Sequence, residues 1–261
     1  MEVSGYQKER LDSIMALLHR HGYVTVKFLS EELHYSTATV NRDLNLLEQM
    51  KQVRRSYGGV EPTEAQGVSL LFRYAKSKPA KKRIGKCAAQ LVRKNDVIFI
   101  DGTTTTQYMG PYLAAIEGIT VITNNMALAT FLSEHSVRVI VLGGEVVEAP
   151  FMLDGNDTLE IASRYHADKC FFSAVSLSKG GEIGTGMGYY ALHQTMIRNS
   201  DSAYLLIDKE KLWKKYHRSL GDLSGIHGVI SDHAFDEEWK QRFPNVQFIC
   251  SDKEEKETIL E

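Results

Sequence analysis

The sequence predicts an α/β protein in two parts: a group of short helices closed by a hairpin, then a mostly parallel sheet with helices on both faces. Three observations carry that prediction. Apolar residues recur at helical spacing through the N-terminal part, short β-branched runs alternate with helical stretches through the rest, and a polar segment holding Pro62 and Gly67 lies between them.

A chain of 261 residues is long for one domain and comfortable for two. The pattern places a helical domain at residues 1–60, a linker at 61–78 and the larger domain at 79–261. A hydrophobic share of 43% with 25% charged residues and only 5 prolines excludes a disordered chain. No apolar run approaches the roughly 20 residues a membrane helix needs. The start, MEVSGYQKERLDS, is too polar for a signal peptide, so a cytoplasmic protein without membrane contact is expected. Cys87, Cys170 and Cys250 are far apart and odd in number, and the 9 histidines show no zinc spacing, so neither metal nor cofactor is expected. Net charge is -2, and any affinity for nucleic acid has to come from local pattern.

From Glu9 to Arg20, Leu11, Ile14, Leu17 and Leu18 share one helical face, and Gly22 follows where a helix commonly stops. Thr25 can cap a second helix that turns Phe28, Leu29 and Leu33 inward and keeps Lys27, Glu31 and Glu32 wet. His34 and Tyr35 lead to Ser36, an N-cap for a third helix with Val40, Leu44 and Leu47 as its inner stripe. At the leading end of that helix, Ser36, Thr37, Thr39, Asn41 and Arg42 are small, polar or cationic, which suits entry into a major groove. In KQVRRSYGGV, Val53 and Val60 can pin a hairpin turning at Gly58 and Gly59, with Arg54, Arg55 and Tyr57 projecting toward a phosphate backbone. Together these elements make a winged helix-turn-helix, with double-stranded DNA as its partner. The plainer alternative is a helical interaction module with a solvated basic loop. The 8 Lys/Arg against 7 Asp/Glu in residues 1–60 do not exclude it.

Past the linker, Arg73 to Lys94 holds 9 Lys/Arg and no acidic residue, and reads first as a solvated amphipathic helix with Ile84, Cys87, Ala88 and Leu91 inside. Phosphate binding is the secondary use of that charge. The runs VIFID, ITVITN, VRVIVLG, KCFFSAV, AYLLID, HGVISD and VQFIC are nearly continuous in apolar residues, as strands covered on both faces must be. Helical patterns at Gln107–Ile116, Met126–His135, Asp157–Arg164 and Leu192–Ser200 alternate with them, which gives a Rossmann-like, mostly parallel sheet.

Ligands of such sheets bind outside the C-terminal strand ends. Small polar residues collect at those positions here: Asp101, Gly102, Thr103, Thr104, Thr105 and Thr106 after the first strand, Asn124 after the second, Gly143 and Gly144 after the third, Lys179 after the fourth, and Asp208 with Lys211 after the fifth. Glycine admits a ligand close to the backbone, and loop amides with threonine hydroxyls can hold a phosphate without a fixed positive charge. Asp101 suits sugar hydroxyls, which donate to a carboxylate. The plainer alternative is that the threonines merely cap a helix. Neither a Gly-x-x-x-x-Gly-Lys-Ser/Thr loop nor a Gly-x-Gly-x-x-Gly turn after the first strand is present, so a nucleotide is disfavoured. His193, on a helix near these loops, is a further candidate contact, while Trp213 and Trp239 read as packing residues, Trp213 on a loop over the pocket. An isomerase could draw on Asp101, Glu145, Lys179, Glu182, Asp208 and Lys211 for its acid and base. Sequence puts no pair of them at working distance.

Two stretches carry a resemblance. FLSEELHYSTATVNRDLNLLEQMKQVRRSYGGV, with Val40-Asn41-Arg42-Asp43-Leu44 and its Gly-Gly wing, resembles the DNA-binding end of the DeoR family of bacterial sugar-catabolism regulators; Asn41 stands where many members carry a second arginine. FIDGTTTT, VITNN, VLGGE with the later Gly155, and Asp208 with Lys211 resemble the sensor domain of that family, which shares its fold with ribose-5-phosphate isomerase. Gly102-Thr103 replaces a Ser-Gly there, and Tyr189 and Tyr190 stand where relatives commonly place glutamates. The resemblance spans nearly the whole chain. It implies a homo-oligomeric repressor of a carbohydrate uptake or catabolic operon, not an enzyme, governed by a phosphorylated sugar.

Overall fold

The computed structural model describes residues 5–21, 23–50, 52–56, 59–62, 77–148 and 152–252. The chain divides into two units between Lys76 and Ser77. Expected features at Gly22, Tyr57, Gly58 and most of the linker, residues 63–76, lie outside the described residues.

In the N-terminal unit, helix α1 (Gly5–His21) leads through β1 (Val24–Thr25) into α2 (Val26–Glu32). Helix α3 (Thr37–Gln49) and the strands β2 (Val53–Ser56) and β3 (Gly59–Pro62) follow. Both expected caps form: Thr25 Oγ1 accepts from Phe28 N–H at 3.0 Å and Ser36 Oγ from Thr39 N–H at 3.2 Å. His34, at φ 55°, makes the left-handed turn between α2 and α3. Leu11, Ile14, Leu18, Leu29, Val40, Leu44, Leu47, Val53 and Val60 close into one buried cluster. The small sheet has order β1-β3-β2, so β1 gives the hairpin a third strand that its two-residue length hid from sequence periodicity.

In the C-terminal unit the runs anticipated as strands form one 7-stranded sheet. Its members are β4 (Val97–Ile100), β5 (Thr120–Thr123), β6 (Arg138–Val141), β9 (Ala167–Ser173), β12 (Ser200–Leu206), β14 (Gly228–Ser231) and β15 (Gln247–Cys250), in the order β15-β14-β12-β9-β4-β5-β6. Every neighbouring pair is parallel. Side chains alternate between faces, so Ile98, Ile100 and Phe171 pack with α4 (Lys78–Ala89) and α6 (Met126–Glu134). Phe99, Cys170 and Phe172 pack on the other face with α7 (Asn156–Ser163) and α8 (Tyr190–Arg198). Coverage of both faces explains why the inner strands lack a polar alternation, while the edge strands β6 and β15 stay partly open.

The helix expected at Gln107–Ile116 is instead a 3₁₀ turn at Thr106–Met109 and a single helical turn, α5, at Gly110–Leu113. Pro111 cannot donate a backbone hydrogen bond, and Gly110 packs so close that a Cβ would lie 2.9 Å from Leu128, which leaves no room for a continuous helix of larger residues. Two small antiparallel sheets were not anticipated: β7 (Glu145–Glu148) with β8 (Met152–Asp154), and β10 (Ser176–Leu177) with β11 (Glu182–Gly184) and β13 (Ser219–Asp222). Helix α9 (Glu237–Arg242) precedes the last strand.

Candidate functional site

The outward face of α3 is set by what its inward face buries. Asp43 is fully buried and bonded by Arg10 of α1 through Nε and, at 2.9 Å, Nη2, so the Arg42-Asp43 pair splits between solvent and core. Residues expected at a DNA face also divide. Ser36 and Thr39 are engaged with each other in the cap, their hydroxyls 2.9 Å apart. Asn41 is spent: Nδ2 donates to Thr37 O at 2.9 Å and Oδ1 accepts from Arg55 Nη1 at 3.0 Å. Arg55 Nη2 also donates to Asn41 O at 2.8 Å, and Nε lies 3.8 Å from Glu48 Oε2. Asn41 and Arg55 therefore join the hairpin to the helix. Thr37, Arg42 and Arg54 are exposed, and Tyr57 lies outside the described residues. Asn45, which sequence reading passed over, is exposed beside Arg42; the Ala38, Arg42, Asn45 spacing along one helical stripe was the available signal.

In the large sheet the chain runs from β4 outward to β5 and β6 on one side, and returns to β9 on the other. That makes β4 and β9 the topological switch point, the place at which sheets of this kind bind their ligands. Asp101 follows β4 and Ser173 ends β9, and they are bonded: Ser173 N–H donates to Asp101 Oδ2 at 3.0 Å.

Asp101 differs from its expected part as an open acceptor for sugar hydroxyls. It is fully buried, and besides Ser173 its Oδ2 accepts from His193 Nε2 at 2.9 Å. Oδ1 takes Thr103 N–H (3.2 Å), Thr103 Oγ1 (2.8 Å) and Thr106 Oγ1 (2.6 Å). Burial pushes this carboxyl up, but the His193 contact and the Thr106 and Ser173 bonds outweigh it and hold it below its ordinary range. It organises the loop from beneath.

The threonines accordingly split. Thr103 and Thr106 are tied to Asp101, Thr104 Oγ1 accepts from Lys81 Nζ at 3.1 Å, and the buried Thr105 Oγ1 has no partner among the described residues. Helix capping thus accounts for none of Thr104 and Thr105. Ile84, Cys87 and Ala88 of α4 are buried as the amphipathic reading expected, but Lys81, expected on its solvated face, is only 3% exposed. A lysine on the same stripe as Ile84 and Ala88 was the signal for it.

Lys211 joins from the other side, with Nζ 3.3 Å from Ser173 Oγ and 3.8 Å from Asp208 Oδ2. Asn124 is buried with Nδ2 on Leu153 O at 2.8 Å, while its Oδ1 has no partner among the described residues. The expected glycines serve close packing. A Cβ on Gly102 would lie 2.7 Å from Met152 Cγ, so Met152 occupies the space assigned to a ligand; one on Gly144, at φ 125°, would meet Thr158 Oγ1 at 2.3 Å. Gly143 is used through its carbonyl, which accepts from Thr158 Oγ1. Lys179 remains exposed in the turn after β10, its carbonyl accepting from Arg242 Nη1 at 3.2 Å. Trp213 belongs to an aromatic cluster with Trp239, His233 and Phe235, the two indoles 5.0 Å apart. Tyr189 packs on His193 with centroids 5.5 Å apart, and Tyr190 lies under Arg218 at 5.2 Å.

The arrangement can hold an anion by donors from Lys81, Lys211 and the threonine loop, in a site with buried acceptors left over. Comparison with known proteins agrees with both halves. The chain matches the DeoR-like helix-turn-helix domain over residues 10–66 and the DeoR C terminal sensor domain over residues 76–233. It is similar to the HTH-type transcriptional repressor GlcR of Bacillus subtilis, at 30% identity over 93% of this chain and 92% of that protein. It is similar also to the glycerol-3-phosphate regulon repressor of Escherichia coli, at 26% identity over 87% of this chain and 91% of that one. The lactose phosphotransferase system repressor of Streptococcus mutans is 30% identical over 87% of this chain and 92% of its own length.

Proposed function

The chain belongs to the DeoR family and is a DNA-binding transcriptional regulator rather than an enzyme, and from that premise we propose that it represses a carbohydrate uptake or catabolic operon under the control of a phosphorylated sugar. The observation that carries the effector half is the meeting of Lys81, Lys211 and the Thr103–Thr106 loop at the sheet's switch point, with Thr105 Oγ1 buried and unpartnered among them. A buried hydroxyl without a partner costs about 1–3 kcal/mol, and a ligand oxygen would recover it. Lys81 and Lys211 supply the charge for the phosphate, and the loop amides and hydroxyls shape its seat.

On the DNA side, Thr37, Arg42 and Asn45 of α3 read the major groove, Arg54 reaches the backbone, and the Arg55 to Asn41 bonds fix the wing against the helix. Operators read by paired recognition helices require half-sites one or more helical turns apart, so the working form is a homo-oligomer acting in the cytoplasm, where the operon is. Effector binding changes the population of assemblies whose heads match that spacing.

A mobility-shift assay on the DNA upstream of its own operon, titrated with a panel of sugar phosphates, tests this. Binding that responds to one member, and loses the response in Thr104→Ala, supports the reading. Binding indifferent to the whole panel removes the sensing role, and no shift on any upstream fragment removes the repressor role.

A further inference from the structure

We propose that His193 is the residue by which this chain selects its effector, Nδ1 accepting a hydrogen bond from a hydroxyl at the sugar end of the ligand. The inference rests on the reading that the switch-point site takes a sugar phosphate, and goes beyond it by stating what the non-phosphate end must present.

His193 is 1% exposed on α8, with its ring against Phe172 (centroids 5.3 Å) and Tyr189 (5.5 Å). Nε2 lies 2.9 Å from Asp101 Oδ2. Asp101 otherwise receives only donors, from Ser173, Thr103 and Thr106, so it acts as an acceptor and Nε2 faces it with a proton. An imidazole whose one proton is on Nε2 has its lone pair on Nδ1. That Nδ1 is buried and has no partner among the described residues.

Asn124 repeats the logic independently. Its Nδ2 donates to Leu153 O at 2.8 Å, which fixes the amide's orientation and leaves Oδ1 as a buried acceptor without a donor among the described residues. Both groups flank the same step of chain: His193 is bonded to Asp101, and a Cβ on the next residue, Gly102, would lie 3.1 Å from Asn124 Oδ1. The site therefore combines donors, from Lys81, Lys211 and the loop, with orphaned acceptors on His193 and Asn124. Hydroxyls can satisfy acceptors; a second phosphate, a carboxylate or a ketone cannot. The ligand class is a phosphate ester of a polyhydroxylated chain or ring with at least two hydroxyl donors away from the ester.

The test uses the full-length protein and its His193→Phe and His193→Gln variants. Titration calorimetry is run with glucose 6-phosphate, fructose 6-phosphate and ribose 5-phosphate, with the 2-deoxy analogues of the two aldose phosphates, with 3-phosphoglycerate, and with inorganic phosphate. In the parent, the compound that binds best loses about ten- to hundredfold in affinity when the hydroxyl His193 reads is removed, and 3-phosphoglycerate binds no better than inorganic phosphate. His193→Gln, which keeps a donor for Asp101, weakens the best sugar phosphate and erases most of the deoxy penalty while losing far less affinity for inorganic phosphate. His193→Phe removes that donor as well and is read only for the deoxy penalty. Sugar phosphates that bind parent and variants alike, or a His193→Gln variant that loses inorganic phosphate in equal measure, overturn the role of His193 while leaving the sensor intact. A parent that binds none of these compounds overturns the sensor reading itself and this inference with it.

Discussion

Replacing Asp101 with asparagine separates the two parts this residue could play. In the structure its carboxylate accepts from Ser173 N–H and His193 Nε2 on one oxygen, and from Thr103 N–H, Thr103 Oγ1 and Thr106 Oγ1 on the other. An asparagine amide puts an NH₂ at one of those two places. Toward Ser173 it faces a backbone N–H that cannot turn away; toward Thr103 it faces another. The threonine hydroxyls and the imidazole tautomer can adapt, but one buried N–H is opposed in either orientation, at about 1–3 kcal/mol. Loss of charge assistance in the remaining bonds brings the expected destabilisation to about 3–5 kcal/mol. For a unit of this size that lowers the unfolding midpoint by about 6–20 °C. Thermal unfolding of full-length parent and variant, with and without sugar phosphate, is the assay. A variant that unfolds within about 2 °C of the parent yet no longer binds would refute the reasoning, because it would make Asp101 a ligand contact and not the support beneath the loop. Acid gives a second readout. The folded carboxyl titrates below its ordinary value, so its contribution is complete above the unfolded-chain value and is lost as pH falls through the folded one. The acid limb of the stability profile should be steeper in the parent than in Asp101→Asn.

Lys81→Met should weaken the effector by about 10–150-fold, the worth of a charge-assisted bond; calorimetry with the responding sugar phosphate checks it, and undiminished affinity would place the phosphate elsewhere. Arg42→Ala should weaken operator binding by about 1–3 kcal/mol while the sensor's thermal response to ligand stays at the parent value, read by mobility shift at several salt concentrations. Burial pushes the Asp232 carboxyl up, and Asp208 adds to this against the Lys209 N–H bond at 2.6 Å. The charged form is therefore a cost that grows as pH rises through the carboxylate range, and Asp232→Asn, which keeps an acceptor for Lys209, should raise the unfolding midpoint at neutral pH and not in acid.

Much of the fold was legible because burial leaves a period in the sequence. The stripe Val40, Leu44, Leu47 gave α3 and, by subtraction, its outer face; the apolar runs gave the members of the large sheet, most directly the central ones, since a parallel strand buried on both faces can hold little else. Elements too short or too polar to show a period, such as β1 and the β10-β11-β13 sheet, were invisible. Within the site, the threonine run announced itself as unusual chemistry, but not which hydroxyls were already spent. Lys81 was hidden inside a basic stretch in which Lys78, Lys82, Lys86, Arg93 and Lys94 are exposed.

By itself the sequence determined the two-part architecture, and it pointed to the third helix as a reading element and to the switch-point loops as a place for a ligand. Those follow from composition along the chain and from rules of strand connection. Only the tertiary structure decided the roles: Asp101 as a saturated support, Asn41 and Arg55 as partners of each other, Lys81 turned inward, and acceptors stranded on Asn124 and His193. The reason is that a polar side chain's part is fixed by who satisfies it, and its partners here are contributed by residues as much as 92 positions apart in the chain.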